Sequence, residues 1–502
     1  MKDAIKLRRY HAHEWNEPII MEMGKKGERG IAIPSAEEEI QKTIGPAANY
    51  VPAGTQRRSA PKISEISQPH VLRHYLRLSQ QTLGMALNID FGMGTCTMKY
   101  SPQINEEIVR LPQFTEMHPS QDEETVQGIL EIIYKFARFM GEISGMDEFT
   151  FQPGGGAHGI FTNACVIRRF HETNRELKQR NEIITTLFSH PADAACPATA
   201  GFKIVTLYPD PETGLPDIEA LKAAVSKHTA GFMVTNPEDT GIFNPRIGEF
   251  VDLVHEVGGL CAYDQANSNA LFGIARAKEA GFDLCHFNIH KAFSSPHGCM
   301  GPACGAVGAA KKLQKFLPIP VVTFDGSKYH LDHDRPHSIG KVRGFLGNIE
   351  TIVRAYAWVM SMGAEGLRKV SETSIINTNY LMKRMSTVQG VTTAYPKQRV
   401  RLDQVRFSLE KLKEETGVGT DDVARRIVDF GVQEYFTSHH PWVVPEPFLP
   451  EPCETYSRED IDYWVEIIRY VCKEAYENPE VAKTAPHNLS ITKIDREALD
   501  DP

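Results

Sequence analysis

The chain has no long apolar run: no stretch approaches the roughly 18–20 residues that a membrane span needs. Its first residues, Met1-Lys2-Asp3-Ala4-Ile5-Lys6-Leu7-Arg8-Arg9-Tyr10, are basic but lack the apolar centre of a signal peptide. Paired cysteines are missing too. Nine cysteines are scattered over 502 residues without a CxxC spacing, and the odd count suits reduced thiols. Cys299 and Cys304 flank a glycine turn at a spacing that is not a zinc signature, so no metal site is expected. Positive charge is scarce as well. The 55 Lys and Arg against 64 Asp and Glu leave a net charge of −9, with no basic run or aromatic–basic stripe suited to nucleic acid. The serine-hydrolase elbow GxSxG, the zincin helix HExxH and a phosphate loop ending in Gly-Lys-Ser or Gly-Lys-Thr are absent, which weakens those three classes. The expectation is a soluble, cytoplasmic protein with neither a membrane nor a nucleic-acid partner.

What is present is ordinary in composition and specific in pattern. Hydrophobic residues make up 41% and charged residues 24%, as in most globular proteins. A chain of this length exceeds what one core organises, so two domains with an extension are expected. Residues 1–85 read as an extended arm with short helices, because Gly24–Gly30 and Pro52–Pro61 break any regular pattern. Such arms bury little apolar surface alone and commonly wrap a partner. Residues 86–345 read as an α/β large domain. Val126, Ile129, Leu130, Ile133, Phe136 and Met140 recur at helical spacing. Strands are expected at Phe149–Gln152, Ile183–Phe188, Lys203–Tyr208, Phe232–Thr235, Leu260–Tyr263 and Leu284–Ile289. Helices are expected at about Ala157–Phe170, Asp217–Lys227 and Ile247–Val257. Apolar strands alternating with helices imply a mainly parallel sheet covered on both faces, with ligands at the carboxyl ends of its strands. Residues 346–502 read as a smaller C-terminal α+β domain. It is entered through a long helical stretch to about Met385, with a strand near Val405–Leu409 and a helix near Asp421–Phe430.

Chemistry concentrates at those strand ends. Asn288-Ile289-His290-Lys291 closes one apolar run and precedes the turn Ser294-Ser295-Pro296-His297-Gly298, while Asp264 closes the previous strand. A lysine and an aspartate so placed are what a pyridoxal-phosphate (PLP) enzyme needs. The lysine binds the aldehyde as a Schiff base, and the aspartate keeps the pyridine nitrogen protonated. Alone, Lys291 would be a solvated surface residue and Asp264 a helix cap. Gly154-Gly155-Gly156-Ala157-His158-Gly159 lies between a strand and a helix, where backbone amides of Gly155, Gly156 and Ala157 and the helix N-terminus can hold a phosphate. The alternative is an unremarkable tight turn. His158 either stacks on the pyridine ring, with Ala266 on the other face, or caps its own helix. His190 follows the next strand to the same edge, as a cofactor or substrate contact or an ordinary polar strand end. One of His290 and His297 is expected to meet the phosphate or orient the lysine. Thr95-Cys96-Thr97-Met98-Lys99-Tyr100 is either a substrate loop or a surface turn. For the substrate carboxylate Lys99 and Arg343 are the candidates, with Thr95 and Cys96 as neighbours on the loop.

These segments resemble those of the PLP-bearing subunit 2 of the glycine decarboxylase P-protein, also called glycine dehydrogenase (aminomethyl-transferring). The resemblance runs from about residue 85 to the end. It includes Cys96-Thr97-Met98-Lys99-Tyr100, His118-Pro119, Glu124-Thr125-Val126-Gln127-Gly128, Gly156-Ala157-His158-Gly159, Tyr263-Asp264, His290-Lys291, Pro296-His297-Gly298, Gly301-Pro302, Asp334-Arg335-Pro336 with Ser338-Ile339-Gly340, and Pro445-Glu446. It implies the aspartate-aminotransferase-like fold (PLP fold type I), with Lys291 as the Schiff-base lysine and Asp264, with His158, completing the catalytic set. It further implies decarboxylation of glycine with transfer of the aminomethyl group to the lipoyl arm of a carrier, the H-protein. The family partner is a related subunit 1, and the assembly is a dimer or an α2β2 tetramer.

Five segments depart from the family pattern, one of them the glycine run after Pro296-His297-Gly298, which Cys299-Met300 interrupts. Gly92-Met93-Gly94-Thr95 replaces a Pro-Leu-Gly-Ser run, and Ile160 stands where the family has a carboxylate after Gly154–Gly159. Ser189-His190-Pro191-Ala192-Asp193-Ala194 lacks the family Thr and Asn, and Tyr435-Phe436-Thr437-Ser438-His439-His440 is unlike its counterpart. A diverged paralogue that runs PLP chemistry on another amino acid or amine without a lipoyl partner is therefore the competing expectation. A non-catalytic scaffold is the third, and the retained Lys291 and Asp264 speak against it.

Overall fold

Seven short apolar runs build one sheet in the order β1-β7-β6-β5-β4-β2-β3. They are β1 (Glu148–Thr150), β2 (Glu182–Thr186), β3 (Lys203–Leu207), β4 (Thr229–Thr235), β5 (Leu260–Gln265), β6 (Leu284–Asn288) and β7 (Gly305–Ala309). β2 to β6 are parallel to their neighbours, and only β7 runs against them, between β6 and β1. Every residue of β5, β6 and β7 is buried, which is why these strands read as continuous apolar runs rather than as alternating ones. The coordinates are a computed structural model describing residues 5–84, 87–96, 99–118, 121–295, 301–397 and 400–494.

The six strands expected from the sequence form, each within a few residues of its expected bounds. β7 was not expected. Gly305-Ala306-Val307-Gly308-Ala309 is poor in the branched and aromatic residues that mark strands, and its small residues are required by contact. A Cβ on Gly308 would stand 2.4 Å from the Phe149 ring and 2.8 Å from Cys285 Sγ. The hairpin of β8 (Val321–Phe324) and β9 (Tyr329–Asp332) was also unforeseen. Its turn is closed by Asp325 Oδ1, which accepts the amides of Ser327 at 2.7 Å and Lys328 at 2.8 Å.

The helix Gln127–Ser144 follows the expected spacing and buries Ile129, Leu130, Ile133, Phe136 and Met140 against the sheet. It stops at Gly145, whose φ of 80° is left-handed and cheap only for glycine. Phe136 stacks on Phe151 with ring centroids 5.0 Å apart, and its full burial stabilises by about 1.5–3 kcal/mol. A second core gathers Leu381, Met385, Phe407, Leu412, Ile427, Phe448, Trp464 and Ile468, together with Ile89 and Phe91 from just after the arm. Its strands β10 (Thr392–Thr393), β11 (Phe407–Ser408) and β12 (Pro447–Phe448) pair antiparallel, so the C-terminal part is α+β as expected. The helix Ile349–Met385 serves both cores, giving Trp358 and Val359 to the first and Leu381 and Met385 to the second. It is interrupted at Gly363 (φ 62°, ψ −180°).

Among residues 5–84 only His74 is buried. Glu17 holds it at 2.8 Å and Arg77 at 2.6 Å. Arg8 N donates to Tyr463 Oη at 3.0 Å and Ala12 N to the Asn488 carbonyl at 2.8 Å, which pin the start of the arm to the second core. Among the described residues, no helix is long and apolar enough to cross a membrane.

Candidate active site

Parallel strands end their backbone ladders at one edge, and there the side chains singled out from the sequence converge. Asp264 is the fifth residue of β5 and is buried. Its Oδ1 is held by the Ala266 N–H at 2.8 Å and by His286 Nδ1 at 2.9 Å. Oδ2 is buried and has no hydrogen-bond partner among the described residues. Burial by itself would push this carboxyl up, but His286, His190 and the Ala266 N–H together hold it below its ordinary value. It is therefore an ionised carboxylate that lacks a cation on one side.

His286 lies within the all-buried strand β6, and its Nε2 is 2.9 Å from Asn288 Oδ1. Asn288 in turn abuts the glycine turn, since a Cβ on Gly156 would stand 2.9 Å from its Nδ2. A Cβ on Gly159 would stand 2.4 Å from His286 Cδ2. A single line of contacts thus joins Asp264, His286, Asn288 and the turn before the helix Gly156–Thr173. Sequence reasoning missed His286 as a site residue. The available signal was an ionisable residue inside an otherwise apolar strand, where it must find a partner.

Lys291 follows β6 by three residues and is 8% exposed. Its charge and that of Asp264 act in opposite senses on the His190 ring, and it also acts to lower the Glu451 carboxyl. Burial is the larger influence on that ring and lowers its basicity. His190 Nδ1 accepts the Ala192 N–H at 3.1 Å, and its ring meets that of His439 edge-on at 5.9 Å. His190, Asp264 and Lys291 are thus brought together.

The remaining expected residues divide. Gly155 and Gly156 begin the helix Gly156–Thr173, whose first amides have no intrahelical acceptor. Ala157 is exposed in its first turn. His158 is half-buried, and its Nδ1 accepts the Gly154 N–H at 3.0 Å. Burial and then the Arg343 guanidinium push its basicity down. Arg343 Nη1 lies against this turn, 3.4 Å from where a Gly154 Cβ would stand, and is buried without a partner among the described residues. Lys99 is placed differently from a ligand-binding cation. It is buried with Glu454 at 2.8 Å and Asn269 at 3.1 Å, its ammonium 4.5 Å from the Trp358 ring centre, so its charge is already neutralised. His290 turns away to Cys304, with Nδ1 3.1 Å from the carbonyl oxygen. Cys96 is exposed at the end of the turn Phe91–Cys96, which also contains Thr95. Thr97, Met98, Pro119 and Pro296 to Met300, with His297, lie outside the described residues.

A further network closes the site against the second core. Asn267 Nδ2 donates to Glu451 at 2.8 Å and to Asp403 Oδ2 at 3.0 Å, and Asn269 Nδ2 donates to Glu451 at 2.8 Å. Burial pushes Asp403 up to about 7 and, with the Asp403 charge, holds Glu451 well above the usual carboxylate range. Elsewhere, His255, Cys261 and Asp283 approach one another at the opposite edge of the sheet. There His255 at 2.8 Å and Lys312 at 2.5 Å already satisfy the carboxylate.

Comparison with known proteins follows the same lines. Residues 122–418 match the aminotransferase class-V family, and residues 370–491 match the glycine dehydrogenase C-terminal domain. The chain is 42% identical over 97% of its length, and 95% of the relative's, to a probable glycine dehydrogenase (decarboxylating) subunit 2 of Pyrococcus abyssi. It is 41% identical, over 96% of both chains, to the protein of that name from Caldanaerobacter subterraneus subsp. tengcongensis. The chain belongs to the glycine dehydrogenase (decarboxylating) subunit 2 family. Among solved structures, the glycine decarboxylase P-protein of the glycine cleavage system, in inhibitor-bound form, superposes with a TM-score of 0.74 at 19% identity. That match covers 88% of this chain and 100% of that one. A NifS-like protein superposes at 0.59 and 16% identity over 76% of this chain and 98% of that one. Both likenesses bear on the fold, which is the one expected.

The residues fit the family cofactor, PLP. A buried carboxylate oxygen without a partner suits a protonated ring nitrogen, a buried lysine at the same strand ends suits an aldehyde, and a glycine turn opening an 18-residue helix suits a phosphate.

Proposed function

We propose that the chain is the PLP-bearing subunit of a glycine decarboxylase, releasing carbon dioxide from glycine and passing the aminomethyl group to the lipoyl arm of a carrier protein. The observation that carries this reading is the partnerless Asp264 Oδ2 at the same strand ends as the buried Lys291, in a chain 42% identical over 97% of its length to relatives of that name. Bound there, PLP supplies an electron sink for the carbon that loses carbon dioxide.

The chain's own residues do the rest. Lys291 Nζ is the attachment point. Asp264, held ionised by His286 and the Ala266 N–H, keeps a proton on the ring nitrogen, and this is an electrostatic role. His190, beside Asp264 and Lys291, would contact the cofactor or the substrate. The first amides of the helix Gly156–Thr173, with Asn288 beside them, hold the phosphate. Arg343 Nη1, buried and unpaired, takes the substrate carboxylate in place of Lys99, which Glu454 neutralises. The buried acids and amides around Asn267 exclude water from the site.

A lipoylated H-protein and a subunit 1 are the partners, in a dimer or α2β2 assembly. The arm offers such a partner apolar side chains: Ile31, Ile33 and Leu72 are 71%, 78% and 60% exposed. The test is exchange of labelled bicarbonate into the glycine carboxyl, with subunit 1 and lipoylated H-protein supplied. Exchange is expected with glycine alone among the amino acids. A protein that leaves glycine unlabelled but shifts its visible absorbance with another amine would transfer the reading to a diverged paralogue.

A further inference from the structure

Asp193 stands in the first turn of the helix Ala192–Thr199, fully buried, and its two oxygens are treated unequally. Ser189 Oγ donates to Oδ2 at 2.6 Å, and that hydroxyl is fixed because it accepts the Thr235 N–H at 2.8 Å. Oδ1 has no hydrogen-bond partner among the described residues. Thr235 ends β4, and its register partner on β5 is Asp264. The connection Asp193–Ser189–Thr235 therefore delivers one buried carboxyl to the side of another. Each of the two has one oxygen that the protein leaves unsatisfied.

Adjacent buried carboxyls do not both ionise, and the surroundings decide which one gives way. Asp264 has the His286 ring and the Ala266 N–H on its Oδ1. Asp193 has the Ser189 hydroxyl and the His190 backbone, and no cation among the described residues. The titratable groups facing it are Asp264 from β5, Glu238 from the loop after β4, and Cys196 one turn along its own helix. Two of these are acids, and burial pushes the Glu238 carboxyl up to about 8. Burial and then the Asp264 charge hold the Asp193 carboxyl well above the usual range.

We infer that Asp193 is a protonated carboxylic acid that partners Asp264 at the pyridine-nitrogen end of the site, so that the pair carries a single negative charge. The inference rests on the PLP reading above and refines it. Asp193 is a positioning residue: its O–H supplies a donor beside a carboxylate that must stay ionised. The residue is also one of the departures from the family pattern, so the device belongs to this chain rather than to the family motif.

The sign of the pH dependence follows. As pH rises through the elevated range, Asp193 loses its proton, like charge accumulates beside Asp264, and the cofactor site weakens. Asn in its place keeps a neutral donor and cannot ionise. The experiment titrates PLP into the full-length apoprotein, read by visible absorbance, from about pH 7 to about pH 10, for wild type, D193N and D193A. D193N is expected to bind within about twofold of wild type at neutral pH and to lack the alkaline loss. D193A is expected to bind about tenfold more weakly throughout, having lost a donor to a charged group. Should D193A not fold, the comparison of D193N with wild type stands alone. Binding by D193N about tenfold weaker at neutral pH, or alkaline limbs that superimpose, would overturn the inference and leave the PLP reading intact. A wild-type chain that takes up no PLP would instead overturn that reading, and this inference with it.

Discussion

Single side chains at this sheet edge have separable duties, which makes them separable in experiment. Lys291→Ala removes the attachment point but not the pocket, so turnover should vanish while PLP still binds without a covalent link and can be dialysed away. Asp264→Asn retains shape and loses charge. The covalent link should survive while turnover falls about 10²–10³-fold, the cost of deleting one preorganised electrostatic group, and normal turnover would remove Asp264 from that role. Gly159→Ala acts at one remove. Its new methyl would stand 2.4 Å from His286 Cδ2, so the imidazole must leave Asp264 Oδ1, and PLP affinity should fall about tenfold with the helix itself intact, as loss of a charged hydrogen bond predicts. Lys291 and Asp264 were legible because each ends an apolar strand, where a charged residue is conspicuous. His286 was not, because its carboxylate partner Asp264 comes from another strand and Gly159, which packs against its ring, from a distant helix. Spacing along one chain does not encode such meetings. Lys99 was legible as a cation but not as a neutralised one, since Glu454 lies far along the sequence.

At the scale of elements, the parallel strands announced themselves through continuous apolar runs. β7 and the β8–β9 hairpin did not, one built from glycine and alanine and the other fixed by a turn aspartate. The meeting of the first core with the second was silent as well, because it is made of polar side chains. Asn267 and Asn269 bridge Glu451 and Asp403 there. Asp403 is raised from 3.8 to about 7 by burial, so the folded chain binds a proton at this residue more tightly than the unfolded chain does. The stability tied to that proton is fully present below the ordinary carboxylate range and is lost as pH climbs to about 7. Asp403→Asn cannot ionise and still offers an oxygen to Asn267. Its melting temperature should exceed that of wild type at about pH 8 and converge with it below about pH 4; equal differences at both pH values would remove Asp403 from this account.

For the whole molecule, the arm is the part least able to stand alone. Deleting residues 1–60 should leave PLP uptake within about twofold, because the cofactor residues all lie beyond it, and should weaken association with subunit 1 in sedimentation by at least about tenfold, the usual scale for removing an apolar anchor. Undiminished association would assign the exposed isoleucines to another purpose. The arm's attachments also have a consequence for biosynthesis. Arg8 meets Tyr463 across 455 positions of sequence, and Ala12 meets Asn488. At the usual 5–20 residues per second, the ribosome needs on the order of half a minute or more between making the first of these and the last. Residues 8–12 therefore wait for their docking site until the second core has been made, and this segment is put away late.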